Sequence, residues 1–393
     1  MSVRAIARLL RLGLLRGTWR APRRADYLLY FADGRELLEP LVPAGALEVC
    51  DMRERSINLR VQLACLARGR TSAAAYGDEW IRRVRPRVVV TCIDNYWQFF
   101  ELKARFPAIT FVTIQNGVRG PSDDLFGHFA DEAPADRPVR RADHMLVYGP
   151  AVGRELARYV GGTIHAVGSV RSNAVRRRGA ASTPPRRITY VSTWRSTVRS
   201  DQRIAVHGGG RHVTIAEIYA RRDAVVRWLL GYCDRHGLRL LVAGKDEDPA
   251  AERTHFDGVL GTGGYDLLPR TAWSSGYETV DRGDLVVFTS SSLGYEALGR
   301  GRRTAALFTD VELTGSVGER FGWPLELPDD GPFWTHRYDE SRFAEILDRL
   351  RLADDDAWWR SSSSVIAELM RVDDDNATLR AILRESVATP VGA

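Results

Sequence analysis

Lysine is nearly missing from this 393-residue chain: Lys103 and Lys245 are the only two among 56 basic residues. Arginine supplies the rest, a bias of the encoding genome, so each lysine kept against that bias merits attention. Cysteine is scarce as well. Cys50, Cys65, Cys92 and Cys233 are scattered without paired spacing, which excludes a disulfide framework and a zinc site and fits a reducing compartment. No stretch approaches the ~20 apolar residues that cross a bilayer. The 35 glycines and 17 prolines are near average abundance, which excludes collagen-like and low-complexity chains. What is present is ordinary for a folded protein: 44% hydrophobic and 27% charged residues. At roughly 150 residues per domain the length predicts two domains.

Acidic residues are absent from the first 24 positions, which carry seven arginines: Arg4, Arg8, Arg11, Arg16, Arg20, Arg23 and Arg24. Taking that +7 from the formal net charge of +6 leaves the rest of the chain at −1. The basic character therefore belongs to the N-terminus, whereas a nucleic-acid enzyme spreads it over a binding face; no nucleic-acid partner is expected. Residues 2–19 space Arg4, Arg8 and Arg11 on one helical face, with Ile6, Leu9, Leu10 and Leu14 largely elsewhere on the wheel. This predicts a basic amphipathic helix over 1–24. Arginines interrupt every apolar core that a signal peptide would need. The helix either docks on an anionic membrane surface or packs on the protein's own body. The expected location is the cytoplasm, with the inner face of the cytoplasmic membrane as the docking surface.

From residue 26 onward, short apolar runs alternate with helical patterns. Strands are expected at 27–31, 87–93, 109–114, 145–148 and 163–167, with helices at 58–68, 72–84, 96–105 and 151–160. After a Pro- and Arg-rich stretch the alternation resumes, with strands at 188–192, 239–243, 285–289 and 304–308. Helices are expected there at 214–236, 293–300, 340–351, 357–371 and 376–385. Continuous apolar strands between helices predict parallel sheets covered on both faces. The fold class is thus α/β, with two Rossmann-like domains facing a central cleft. The expected divisions are an acceptor-type domain at 25–175, a linker at 176–187, a nucleotide domain at 188–340 and C-terminal helices at 341–393.

Ligands of open parallel sheets sit beyond the carboxyl ends of the strands. Six such positions here are polar: Asp33–Gly34 with Glu36, Asp94–Asn95, Gln115–Asn116–Gly117, Thr193–Trp194–Arg195, Gly244–Lys245 and Ser290–Ser291–Ser292. The strongest local signal is LVVFTSSSLGYEALGRG at 285–301, a strand feeding a serine run and then a helix. Free N–H groups and the dipole at such a start favour phosphate. Glu296, a turn further on, can accept both hydroxyls of a ribose; as a capping-box partner of Ser292 it is one residue too late. Lys245 offers a compact ammonium to a phosphate, or is a surface lysine before an acidic loop. Trp194 can stack on a base or sugar, or pack between domains, and Arg195 can hold a phosphate. HGGG at 207–210 lacks the G-x-S-x-G elbow of an esterase anywhere in the chain. The acidic runs at 354–356 and 373–375 open helices, where acids favour the dipole; no metal site is expected, and no cofactor.

The strand–SSxxGYEALxxG element resembles the donor half of GT-B glycosyltransferases and of the related sugar-nucleotide 2-epimerases and glycerophosphotransferases. Five segments together resemble the bacterial surface carbohydrate biosynthesis proteins: VVVTCIDNYWQFFELKARFP (88–107), ITFVTIQNGVRG (109–120), ADHMLVYGPAVGRELARYVGG (142–162), the element at 285–301 and FGWPLELPDDGPFWT (321–335). The N-terminal helix and the insertion near 198–213 fall outside the likeness.

The resemblance implies a GT-B-like fold and a role in assembling cell-surface polysaccharide, lipopolysaccharide or capsule. A nucleotide-activated sugar would be the donor, and a glycan or lipid-linked molecule the acceptor. From their places after the strands of the second half, donor contacts are expected from Thr193, Trp194, Arg195, Lys245, Ser290, Ser291, Ser292 and Glu296. On the acceptor side stand Glu36, Asn95, Gln115, Asn116 and Gly117. Asp94 or Asp33 would be the general base on the acceptor hydroxyl, with helix capping as the competing role of Asp94. A sugar-nucleotide epimerase or hydrolase of the same fold, and a non-catalytic scaffold docked at the membrane, are the alternatives.

Overall fold

The computed structural model describes residues 17–51, 57–121, 125–132, 139–177, 184–205, 212–315 and 320–388. Two six-stranded sheets dominate it. The first contains β1 (Tyr27–Leu29), β2 (Leu47–Val49), β3 (Val88–Thr91), β4 (Thr110–Ile114), β5 (Arg141–Val147) and β6 (Gly161–Ala166). Its order is β2-β1-β3-β4-β5-β6, and every pairing is parallel. The second contains β7 (Arg187–Val191), β8 (Arg239–Ala243), β9 (Tyr265–Leu268), β10 (Leu285–Phe288), β11 (Arg303–Leu307) and β12 (Trp334–Thr335). Its order is β9-β8-β7-β10-β11-β12, again all parallel. Each order reverses direction beside its first strand, which opens a crevice at the carboxyl edge there.

The strands form where β-branched and aromatic side chains run uninterrupted. Val88, Val89 and Val90 of β3 and Val286, Val287 and Phe288 of β10 are fully buried because helices cover both sheet faces. The edge strands β2, β9 and β12 carry no such run and escape the sequence reading. Several helices escape it too, the longest of them Pro249–Leu260 and Ser275–Arg282. The first was marked: Asp248 accepts from the N–H groups of Ala250 and Ala251, and Pro249 occupies the first helical position.

Two expectations change. The amphipathic helix over 1–24 falls mostly outside the described residues, and where the chain is described Gly17–Thr18 is a strand, paired in parallel with Ile57–Asn58. The C-terminal helices do not form a unit of their own. Glu340–Leu352 and Asp355–Leu369 bury Phe343, Ile346, Leu347, Trp358 and Ile366 in the core of the second half. Ala377–Ala388 instead crosses back and places Leu379, Ile382 and Leu383 among Tyr27, Val88 and Val112 of the first. An apolar face is buried wherever a sheet lies uncovered, and the first sheet needed this last helix. Most of the expected linker, residues 178–183, and the HGGG run lie outside the described residues. No helix among the described residues is long and apolar enough to cross a membrane.

Candidate functional site

The register of the second sheet aligns its carboxyl edge. Leu268, Ala243, Val191, Phe288 and Ala306 stand side by side on five neighbouring strands. Neighbouring strands are about 4.8 Å apart, so the loops after them share one ledge. The loop after β7 lies at its centre. Glu252, fully buried, fixes that ledge: it accepts from Ser192 Oγ at 2.7 Å and from the backbone N–H of Lys245 at 3.0 Å. Gly244 is required beside it, since a Cβ there would stand 2.7 Å from Glu252 Oε2. Asp246 accepts from Ser196 N and Oγ, tying the loop after β8 to the loop after β7.

Beside these anchors, Lys245 feels the charge of three guanidinium groups. Burial pushes the Lys245 ammonium down to about 8, and Arg195, Arg222 and Arg270 push it the same way, with Glu252 opposing. Arg222 is held by Asp310 and donates to Thr193 Oγ1 at 2.9 Å. Among the described residues no carboxylate lies within ion-pair distance of Lys245, Arg195 or Arg270. The carboxylates nearby, Glu252, Asp246 and Asp310, are engaged by backbone N–H groups, Ser196 and Arg222. The other lysine is different: Lys103 Nζ is satisfied by Asp143 at 2.9 Å and by Ile109 O at 2.8 Å. Sequence reasoning found Lys245 and Arg195 but missed Arg222 and Arg270. Arg222 sits inside a long helix and Arg270 follows the unrecognised strand β9.

On the same ledge, the helix Ser292–Gly299 begins beside β10 with its N-terminus toward the first half. Ser291 caps it, accepting from Leu293 N. Ser292 does not face open solvent alone: its Oγ accepts from Val118 N of the first half at 2.9 Å. Gly117 permits this approach, since a Cβ there would lie 3.3 Å from that oxygen. Ser290 is half-buried on the same loop.

Several expected roles are corrected. Glu296 does not stand open to a ribose; it is buried and accepts from Tyr277 OH at 2.9 Å and from Ser169 Oγ. Ser169 follows β6, so Glu296 closes the two halves on each other. Burial raises its carboxyl above the usual range, against the hydrogen bonds from Ser169 and Tyr277 and the charges of Arg171 and Arg300. Trp194 stacks on His255 with ring centroids 4.8 Å apart, and Asp223 accepts from Nε2 of that ring, so one indole face is already covered.

Asp94 is neither an open base nor a helix cap. Both its oxygens are gripped by Arg119, and Oδ1 also accepts from Asn116 N at 3.1 Å; the helical turn at Trp97–Glu101 has no side-chain cap. Gln115 and Asn116 build the loop after β4, and Gln115 lines a cavity with Val118, Arg119 and Tyr148. Gln115 accepts from Tyr148 N and donates to Gly117 O, both at 2.8 Å, and Asn116 Oδ1 accepts from Arg119 at 2.7 Å. Asn95 is half-buried and Glu36 exposed. Asp33 is half-buried after β1, next to Gly34. Gly34 has φ 94° and packs against Cys92, where a Cβ would come within 2.4 Å of Sγ; only glycine allows that turn. The distinctive FGWP segment packs between the halves: Trp323 meets Phe126 edge-on at 4.9 Å, and Gly322 N donates to Tyr295 OH.

Two facing Rossmann-like halves, with a polar ledge on each and a last helix that crosses back, define a GT-B-like protein. Residues 112–387 match the sequence family described as "putative O-antigen biosynthesis protein", and the chain belongs to that family. It is thus a surface-carbohydrate biosynthesis protein, as the five segments implied. No curated protein matches it in sequence. Among solved structures it is similar to one described as a "putative UDP-N-acetylglucosamine 2-epimerase" from Listeria monocytogenes. That likeness has 13% identity and a TM-score of 0.52, covering 94% of this chain and 98% of that one. It is also similar to the wall teichoic acid polymerase TagF, at 11% identity and a TM-score of 0.47 over 99% of both chains. With S. aureus MnaA in complex with UDP it shares 11% identity and a TM-score of 0.49, over 89% of this chain and 93% of that one. At these identities the likeness is one of fold.

Proposed function

We propose that the protein transfers a glycosyl group from a nucleotide-activated donor to a glycan or lipid-linked acceptor. The observation that carries this reading is the half-buried Lys245 on the ledge of the second half, on a loop that Asp246 ties to the loop of Arg195. An ammonium whose charge is disfavoured by burial and by neighbouring guanidinium groups is stabilised when an anion arrives, and a diphosphate is the anion a sugar nucleotide brings. When the glycosyl bond breaks, negative charge grows on the leaving phosphate. Lys245 and Arg195 would neutralise it. Ser290 and the N-terminus of the helix at Ser292 add hydrogen-bond donors on the neighbouring loop.

The acceptor would enter against the first half. Asp94, locked to Arg119, shapes the loop 115–119, and Asp33 takes the role of proton acceptor from the attacking hydroxyl.

The test is a thermal-shift screen of nucleoside mono- and diphosphates, followed by product analysis of the stabilising nucleotide's sugar conjugates with and without a glycan acceptor. Stabilisation by a nucleoside diphosphate that Lys245→Met abolishes is the expected result, together with acceptor-dependent release of that nucleotide. No stabilisation by any nucleotide would overturn the donor site. Acceptor-independent conversion of the sugar nucleotide would make the protein an epimerase or hydrolase.

A further inference from the structure

Seven large apolar side chains are exposed among the described residues, and three of them, Trp19, Leu63 and Leu66, belong to one small module of the first half. In that module the strand Gly17–Thr18 runs beside Ile57–Asn58, and the helix Leu59–Ala67 follows directly. Asn58 holds it together, donating to Arg20 O at 2.6 Å while capping the helix through Arg60 N and Val61 N. The helix is apolar on two faces. Val61 and Cys65 are buried in the core with Trp80 and Ile81, and Leu59, Leu63 and Leu66, spaced four and three residues apart, form a stripe on another side.

The exposed charge around this stripe is mainly basic. Arg20, Arg24, Arg60 and Arg70 are exposed and have no ion pair among the described residues, while Arg68 and Arg23 are committed to Glu79 and Glu48. A cavity beside the module is lined by Arg20, Arg23 and Arg35 together with Glu48 and Asp51, next to Tyr76 and Trp80. The chain reaches the module at Gly17 from sixteen residues that contain Arg4, Arg8, Arg11 and Arg16, six Leu or Ile residues and no acid.

We infer that this module is a docking surface for an anionic phospholipid bilayer. Leu63, Leu66 and Trp19 enter the headgroup boundary, and Arg20, Arg24, Arg60 and Arg70 meet the lipid phosphates. An apolar stripe rimmed by unpaired arginines matches such an interface on both counts, since buried apolar area and attraction to anionic lipid add. The first half, where the acceptor is expected, would thereby face the membrane, while the donor ledge of the second half stays in water.

Co-sedimentation of the full chain with phosphatidylcholine vesicles, with and without phosphatidylglycerol, tests this. Binding should require phosphatidylglycerol. Arg60→Glu with Arg70→Glu, and separately Leu63→Ser with Leu66→Ser, should each weaken it by roughly ten-fold or more. A chain lacking residues 2–16 should retain weaker binding that the paired arginine reversals remove. All four positions are exposed, so the variants should keep the parent melting temperature and its response to nucleotide. Failure here would therefore leave the donor site untouched. Three results would overturn the inference: no binding by the full chain, undiminished binding by both paired variants, or tighter binding after the deletion. The last would show that residues 2–16 cover the stripe themselves.

Discussion

Lys245 is the residue at which physical cost and chemical use are easiest to separate. Its free ammonium is disfavoured by burial and by three guanidinium groups. Its folded value lies near 8 and its unfolded value near 10.5, so the unfolded chain holds the extra proton between those limits. The cost is therefore fully present below about pH 8 and fades as the pH rises toward 10.5. Lys245→Met, which keeps the stem and removes the charge, should stabilise the ligand-free protein at pH 7 by about 1–3 kcal/mol while abolishing stabilisation by nucleotides. Paired melting curves at pH 7 and pH 9.5 check this: the gain should shrink at the higher pH. A variant that melts lower and still binds nucleotide would remove Lys245 from the site.

Two carboxylates of the first half should part company in the same way. Asp33→Asn should lower turnover by roughly 10²–10⁴-fold with donor affinity unchanged. Asp94→Asn should lower the melting temperature, because it removes the carboxylate that grips half-buried Arg119, a loss on the order of 3–5 kcal/mol for a fully buried pair and less here. Turnover and chemical denaturation measured on both variants distinguish a base from an anchor.

At the scale of elements, the helix Ser292–Gly299 joins the halves through side chains that its sequence offers to a nucleotide. Glu296 illustrates the competition. Its carboxyl is raised by burial, so the folded state holds its proton to higher pH than the unfolded chain. Stability from this group therefore falls as the pH climbs from the ordinary carboxylate value to the raised one. Glu296→Gln keeps an oxygen to accept from Ser169 and Tyr277 and should be within about 1 kcal/mol of the parent. Its relative stability should improve as the pH rises through that window. Glu296→Ala strands both hydroxyls and should cost about 2–4 kcal/mol. Equal losses in the two variants, read from urea midpoints, would show that the charge matters and not the acceptor.

One turn further on, Arg300 is clasped by Asp281, with both side chains about 1% exposed. It also donates to Ser172 O and Val175 O, each at 3.1 Å, where the first half gives way to the linker. Arg300→Ala removes the clasp on Asp281 and frees those carbonyls. A loss of about 3–5 kcal/mol is expected, with early protease cleavage after residue 175 as the local readout.

The whole molecule is held as one by chain that crosses over. Arg371 N donates to Tyr148 O at 2.8 Å and Asn376 Nδ2 to Val170 O at 2.9 Å on the way to the last helix, which then fills the first half's core. Leu383→Ala should therefore cost about 2–5 kcal/mol, as a buried leucine does. The loss should appear in the first half although the substitution lies at the far end of the chain. Hydrogen exchange that rises along β1 and β3 while β7 and β10 stay protected is the expected pattern.

The sequence by itself determined the central strands, the parallel α/β class, the two halves and the polar residues at the strand ends. Those follow from local runs of apolar residues and from the rule that such strands end at a ligand edge. Val88–Thr91 and Leu285–Phe288 are legible because burial on both faces leaves no polar position in them. The edge strands β2, β9 and β12 are not legible, because a strand paired on one side is short and tolerates polar residues.

Tertiary structure alone decided what the polar residues do. Nothing near Asp94 in sequence announces Arg119, 25 residues away, and nothing near Glu296 announces Ser169, 127 residues away. A carboxylate's role depends on which cation or hydroxyl the fold brings to it, and that is fixed by strand order. For the same reason Arg222 and Arg270 join Lys245 only when β7, β8 and β9 lie side by side.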